Sequence, residues 1–467
     1  MYRIALLCTA MCCGAAFAQQ EQAASTLSDQ TDVAVTAYNN GLALVRDTRK
    51  LSLPEGEFDL QFMDVAQQIR PETVSLQSAS APGSVGILEQ NYEYDLISPS
   101  KLMEKYVGKK VWLQNFHNDI NLGRVEAELL SVNEGAVYKV GDEIFLGHPG
   151  NVVLPEIPEN LIAKPSLIWK LSNSQADQTL EVTYLTNGVS WKADYVVTLA
   201  KDDQSLDLAG WVTMNNQSGA TYTNANLKLV AGDVNVVQQQ PERLARGRQL
   251  AMMESVAEMP QDESFAEYHL YTMPRRTTIK QNQSKQLALL SGTGVVCKKK
   301  YEYRGQEYFY SQQVPPTGEE HVGVFLEFEN EKENSLGIPL PAGVMRIYQE
   351  DREGMLQFAG EDNIKHTPKD ETITLRMGDA FDVIGERVQT DFKVFGGNVH
   401  ESAYEISIRN HKEQDIVVDI VEPMPGDWEI VTASQDHEKK DARTAIFHVA
   451  VPKDGEAKVT YRVRVRF

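Results

Sequence analysis

Between Phe265 and Leu290 the chain reads FAEYHLYTMPRRTTIKQNQSKQLALL, setting Arg275, Arg276, Lys280 and Lys285 against a single acid, Glu267. The rest of the chain is acidic, with a net charge of −21. Guanidinium groups grip carboxylates and other oxyanions through paired N–H donors, and an ammonium acts as a point charge. Arg275, Arg276 and Lys280, with His269 on the strand that precedes them, are therefore the candidate binding residues, and an acidic partner or an anionic glycan is the expected ligand. The competing reading is structural: the same cations offset acidic neighbours across a polar crossing between two strands.

Other groups were weighed for catalysis. Ser98-Pro99-Ser100-Lys101 matches Ser-x-x-Lys, in which a lysine one helical turn on adjoins a nucleophilic serine. Its companion motifs are absent, and Ser98 already serves as a helix N-cap ahead of Pro99. There is no phosphate loop, no His-Glu-x-x-His and no Gly-x-Ser-x-Gly. Gly292 and Gly294 open a dinucleotide-like pattern, but Cys297 stands where the third glycine belongs and no βαβ unit surrounds it. Cys297 followed by Lys298, Lys299 and Lys300 is either a cation-activated thiol or a small apolar residue at a strand end. The histidines are dispersed: His400, Glu401 and His411 lack metal-ligand spacing, and Asp436-His437-Glu438 reads as a solvated hairpin tip. No catalytic residue, metal set or cofactor is assigned.

The elements that must position these groups follow from length and pattern. The chain has 467 residues, which at roughly 100–200 residues per domain predicts several domains. It is 42% hydrophobic and 24% charged, enough apolar material for packed cores. The acidic balance argues against binding nucleic acid. Residues 1–18 read as a secretory signal: Arg3, then an apolar run from Ile4 to Phe17, then Ala16-Phe17-Ala18 as the cleavage site. A periplasmic or secreted location is expected. Cys8, Cys12 and Cys13 leave with that peptide, so Cys297 remains alone and no internal disulfide is expected. No later run is long and apolar enough for a transmembrane helix.

Residues 19–31 are polar and expected to be a disordered lead-in. From 32 to 97 period-two alternation predicts a β-meander, with a hairpin at Asn39-Asn40-Gly41, packed against a sandwich at 156–237. A short helix after Ser98 and glycine turns to about residue 155 predict a small barrel of SH3 or Sm type. In the sandwich, Asn187-Gly188 predicts a second hairpin, and Trp169, Trp191 and Trp211 are expected in one core. Residues 238–264 read as a flexible linker, and 265–319 as a strand, a crossing and a strand joining the sandwiches. Residues 320–467 predict an immunoglobulin-like sandwich.

In the final strand Val459, Tyr461, Val463, Val465 and Phe467 face one way, and Lys458, Arg462, Arg464 and Arg466 the other. Such a strand ending in Phe is compatible with an outer-membrane barrel. The shorter strands elsewhere favour a sandwich whose arginines pair across strands with acids. The fold class expected is mainly β: antiparallel sandwiches in several domains, a small barrel insertion and few short helices.

From Tyr38-Asn39-Asn40-Gly41-Leu42-Ala43-Leu44-Val45 onward the chain resembles the bacterial family catalogued as domain of unknown function 4139. The likeness continues through Asn91-Tyr92-Glu93-Tyr94-Asp95-Leu96, Ser190-Trp191-Lys192-Ala193-Asp194-Tyr195, Val230-Ala231-Gly232-Asp233 and Leu336-Gly337-Ile338-Pro339-Leu340-Pro341. The resemblance implies a β-rich protein exported by a Gram-negative bacterium and supplies no catalytic residues. Some relatives place a coiled coil ahead of the domain, which this chain lacks. The expected function is an exported, soluble, non-catalytic envelope protein that binds an envelope protein or an anionic glycan. The alternative is a periplasmic hydrolase of glycans or peptides, with two carboxylates about 5–10 Å apart assembled from different strands.

Overall fold

The computed structural model describes residues 22–93, 97–117, 120–147, 150–158, 164–232, 261–265 and 268–467. The expected signal peptide lies outside them, as does the expected linker as far as residue 260. The chain is mainly β, in four sheets rich in antiparallel pairs, and none of the sheets closes into a barrel among the described residues. The one α-helix described, Pro99–Lys105, is capped by the Ser98 hydroxyl, which accepts from the Lys101 N–H at 3.2 Å. The Lys101 ammonium turns to Glu104, at 3.1 Å. The Ser-x-x-Lys motif is thus a helix start.

Three of the sheets pack around one core. A four-stranded sheet contributes Phe62 and Trp169, an eight-stranded sheet Val35, Val45 and Tyr184, and a thirteen-stranded sheet Trp191, Tyr195 and Leu326. Fully burying side chains of this size stabilises by roughly 1.5–3 kcal/mol each, so this core dominates the folding energy. Trp169 donates to Gln90 Oε1 at 2.8 Å and Trp191 to the Ala37 carbonyl at 3.1 Å. Trp211 does not join them. It faces the opposite side of its strand from Val212 and Met214 and is half-buried, as period two requires of an odd position beside even core residues.

A second core lies where the thirteen-stranded sheet folds over its own branch of Ile416–Pro423, Thr444–Val451 and Glu438–Asp441. It holds Tyr303, Tyr310, Tyr404, Val418, Phe447 and Val463. The strand Gln283–Arg304 runs through both cores: Leu289, Val295 and Cys297 belong to the first, Tyr301 and Tyr303 to the second. Residues 343–364, inside the segment expected to form one C-terminal sandwich, belong to the first core. Gly343–Glu350 pairs in parallel with Val189–Leu199, and Met345 and Ile347 are fully buried there.

Three other expectations are corrected. The lead-in is ordered from Gln22: Gln22–Ser25 lies parallel to Gly56–Met63, held because the Ser25 hydroxyl accepts from a buried arginine, Arg49. Asn187-Gly188 turns the chain but makes no hairpin. Asp177–Asn187 pairs with Leu42–Ser52, whereas Val189–Leu199 pairs in a different sheet. Gly188, at φ +84°, is a corner where a Cβ would meet the Gln217 carbonyl carbon at 2.9 Å. The small barrel is an open five-stranded sheet over a core of Tyr106, Val111, Leu113, Ala127, Leu129 and Tyr138.

Each large core encloses one arginine–carboxylate pair. In the first, Arg49 donates through Nε and Nη2 to Asp47 (2.8 Å for the shortest), through Nη1 to Ser25 and through Nη2 to the Met63 carbonyl at 2.9 Å. Its guanidinium lies 3.5 Å from the centre of the Phe62 ring. In the second, Arg387 Nη1 donates to Glu422 at 2.5 Å, and the Tyr310 hydroxyl donates to the other Glu422 oxygen. Burial opposes the Arg387 charge, but Glu422 and the hydroxyls of Tyr461 and Tyr310 hold its pKa above the usual arginine value. Arg387 Nη2 has no hydrogen-bond partner among the described residues.

Candidate binding cleft

Arg276 opens the strand Thr277–Ile279, which pairs with the first residues of Tyr222–Ala231. That pairing is broken by a bulge between Tyr222 and Ala225, where Asn224 takes a left-handed φ of +50°. The bulge turns the Asn224 carbonyl toward Arg276 and its N–H toward the Thr278 hydroxyl, at 3.1 Å each. The neighbouring strand Gln30–Tyr38 runs parallel to Tyr222–Ala231 and brings Asp32 to Arg276 Nη1 at 2.6 Å. Between these elements lies a cleft of about 330 Å³ walled by Gln30, Thr31, Asp32, Thr223, Asn224 and Arg276, with Leu27 and Val33 as its apolar members. Most of its lining is polar: hydroxyls, amides and one exposed ion pair. Such a pair contributes only about 0–1 kcal/mol, so a ligand can compete for either partner at small cost.

The other sequence-selected residues fall differently. Arg275 and Lys280 are exposed at either end of the same short strand. Lys280 neighbours Lys285, whose amine is held below the usual lysine range, first by burial and then by the Lys280 charge. Lys285 donates to the Thr278 carbonyl at 3.0 Å. His269 is not brought to the cleft. It pairs opposite Ala231 and Thr277 opposite Ala225, six residues apart on one strand and so about 20 Å at ~3.3 Å per residue. Asp32, Thr223 and Asn224 were not found by sequence reasoning. Asp32 lies 244 residues from Arg276, and nothing local marks a parallel pairing over that distance.

The lysines after Cys297 are drawn off into pairs, Lys299 with Asp203 at 2.9 Å and Lys300 with Glu327 at 2.6 Å. Cys297 is buried in mid-strand rather than at a strand end. Burial, then Asp203 and Asp202, push its thiol up to about 11, which leaves it protonated and unreactive at neutral pH. In the final strand, Gly455–Arg466, Arg462 pairs with Asp391 and Glu401 at 2.8 and 3.0 Å, and Arg464 with Glu401 at 2.8 Å. Two of the three outward arginines of the final strand are therefore matched across strands, and Arg466 is exposed with no ion pair among the described residues.

His448 sits between Asp419, 2.7 Å from Nδ1, and Glu438, 3.2 Å from Nε2. The hydrogen bond to Asp419 is the largest cause of its raised pKa, above the ordinary histidine value. A group raised in the folded state stabilises fully below its unfolded pKa, about 6.5, and loses that contribution as pH rises through the folded value. Amides of the Glu438–Val451 hairpin are therefore expected to exchange more slowly at pH 5.5 than at pH 8, after correction for intrinsic rates. The effect is roughly two- to fivefold, small because the side chain is half-exposed. Asp419→Asn should remove the difference, and an NMR titration placing His448 at or below the ordinary value would contradict it.

These sheets, cores and cleft define a mainly-β protein of several packed sheets with a polar, charged surface site. Residues 180–467 match the family model described as Domain of unknown function (DUF4139), and the chain belongs to that family. No curated protein matches it.

Proposed function

We propose that this chain is an exported, non-catalytic protein of the bacterial envelope, and that the Arg276 cleft binds an anionic glycan. The observation that carries this reading is the Asp32–Arg276 pair set among Thr31, Thr223, Asn224 and Gln30 in one cleft. Guanidinium N–H groups left over from Asp32 and Asn224 can grip a carboxylate or sulfate, while hydroxyl and amide groups match sugar hydroxyls. Arg275 and Lys280 stand beside the cleft and add attraction that falls with salt.

The test is titration of an acidic envelope polysaccharide into wild type and into the Arg275→Ala, Arg276→Ala, Lys280→Ala triple variant at low and moderate salt. The expected result is binding about tenfold weaker in the variant, the size of one or two lost charge-assisted hydrogen bonds, with a flatter salt dependence. Unchanged affinity in a variant that melts like wild type would remove the cleft from the binding surface. Asp32→Asn supplies a second reading: it frees Arg276 and should tighten binding, whereas a purely structural pair would only lose stability.

A further inference from the structure

The strongest unassigned feature lies on the small sheet and does not depend on the reading of the Arg276 cleft. Strand Glu143–Leu146 ends that sheet: it pairs on one side with Val137–Val140, and no described strand lies on its other side. Its residues are exposed throughout, Ile144 at 64%, Phe145 at 43% and Leu146 at 86%.

The register fixes which backbone groups are free. Glu143 lies opposite Val140 and Phe145 opposite Tyr138, and the Gly147 N–H donates to the Ala136 carbonyl at 2.8 Å. Bonded and non-bonded pairs alternate along an antiparallel ladder. Residues 143, 145 and 147 therefore bond inward, and the N–H and C=O of Ile144 and Leu146 point outward to an edge that no described strand covers. The side chains alternate as well: Ile144 and Leu146 share one face, and Phe145 stands on the other beside Tyr138 of the small core.

Free edges are usually defended by charge, proline or a bulge. The outer strand of the four-stranded sheet, Val85–Glu93, has such defences: a bulge opposite Lys170 and Leu171, with Glu89 and Glu93 along it. Glu143–Leu146 pairs without a register shift and sets three apolar side chains in a row.

We propose that this edge accepts an extended segment of a partner protein by strand addition. A row of outward N–H and C=O groups is complementary only to another extended backbone. Apolar side chains on both faces select a guest with consecutive apolar residues, and Asp142 and Glu143 at the start of the edge select lysine or arginine in its flank. A second copy of this chain is a poor guest, because each carries a net charge of −21. The guest's residue beside Phe145 extends the small core, which holds six buried side chains among the described residues.

The test uses the full-length protein and a fluorescein-labelled peptide, Lys-Val-Ile-Val-Lys, followed by anisotropy. The expected result is saturable binding, weakened about tenfold or more when alternate amides of the peptide are N-methylated. Ile144→Pro deletes an outward donor and leaves the inward ladder intact, so it should weaken binding similarly without lowering the melting temperature. Leu146→Lys keeps the backbone and decides the matter if the proline variant is unstable. Equal binding of the N-methylated peptide, or of both variants, would overturn the proposal. So would a dimer in sedimentation that Leu146→Lys dissolves, since the edge would then belong to a second copy.

Discussion

Glu422→Ala is expected to destabilise the second core by about 3–5 kcal/mol, the usual result of stripping one partner from a buried ion pair. Arg387 is 1% exposed and Glu422 fully buried, so neither charge can turn to water when the other is removed. Two side chains would be orphaned at once. Arg387 would lose its only carboxylate, and the Tyr310 hydroxyl, which also contacts Tyr461 at 3.0 Å, would lose its strongest acceptor. No second carboxylate pairs with the guanidinium among the described residues; its neighbours are the rings of Tyr303, Phe309 and Tyr404, at 5.3, 5.2 and 5.9 Å, and the hydroxyls of Tyr310 and Tyr461. Trp428 lies in this core, and Trp169 and Trp191 lie in the other. Denaturation followed by fluorescence in a background with Trp112, Trp169, Trp191 and Trp211 replaced by Phe, so that Trp428 is the only tryptophan, therefore reads the loss locally. The double variant Arg387→Met, Glu422→Leu should recover most of the stability, because an imperfectly satisfied buried pair is often no better than apolar residues of similar volume. A loss under about 1 kcal/mol for Glu422→Ala would mean that the pair is solvated in solution.

A fragment beginning at Leu180, where the family match begins, is expected not to form the first core. The strand Asp177–Asn187 pairs with Leu42–Ser52 along eleven residues of each, and the fragment removes that partner entirely. It also removes Val35, Val45, Phe58, Leu60, Phe62 and Trp169, all 1% exposed or less. At roughly 1.5–3 kcal/mol each, losing these six alone approaches or exceeds the roughly 5–15 kcal/mol net stability of a typical domain. The second core draws on buried residues from Tyr301 onward and should survive. Limited proteolysis of the fragment is thus expected to leave a resistant second core nicked within residues 343–364, which belong to the first core, while residues 180–280 are digested. A fragment resistant over its whole length would show that the first core closes without its N-terminal sheets.

Much of the fold was legible because its signals are local. Asn39-Asn40-Gly41 makes its hairpin, Ser98 caps its helix, and the last strand places Val459, Tyr461, Val463 and Val465 inward. The errors concern which sheet a strand joins. Asn187-Gly188 carries correct turn chemistry, but turn chemistry does not say whether the next strand pairs back or crosses the core. The cleft was half legible: Arg276 stood out by charge, while Asp32 arrives through a parallel pairing between distant segments.

The buried pairs were missed although a signal existed. Asp47 and Arg49 share parity with Val45 and Leu51, Glu422 with Ile416, Val418 and Ile420, and Arg387 with Val383. A charge on the apolar parity of a strand marks a buried partner, and that test would have singled out both pairs.

Parity has a wider reach in the strand Gln283–Arg304. Val295 and Cys297 face the first core, Tyr301 and Tyr303 the second, and all four stand at odd positions of one continuous backbone. Lys298, Lys299 and Lys300 separate the two sets. Inserting or deleting a single residue among these lysines leaves one core correctly phased and turns the other inside out, whereas a two-residue change preserves both. The spacing between the two cores is therefore fixed in parity here, although the three lysines themselves face outward or sit in replaceable ion pairs.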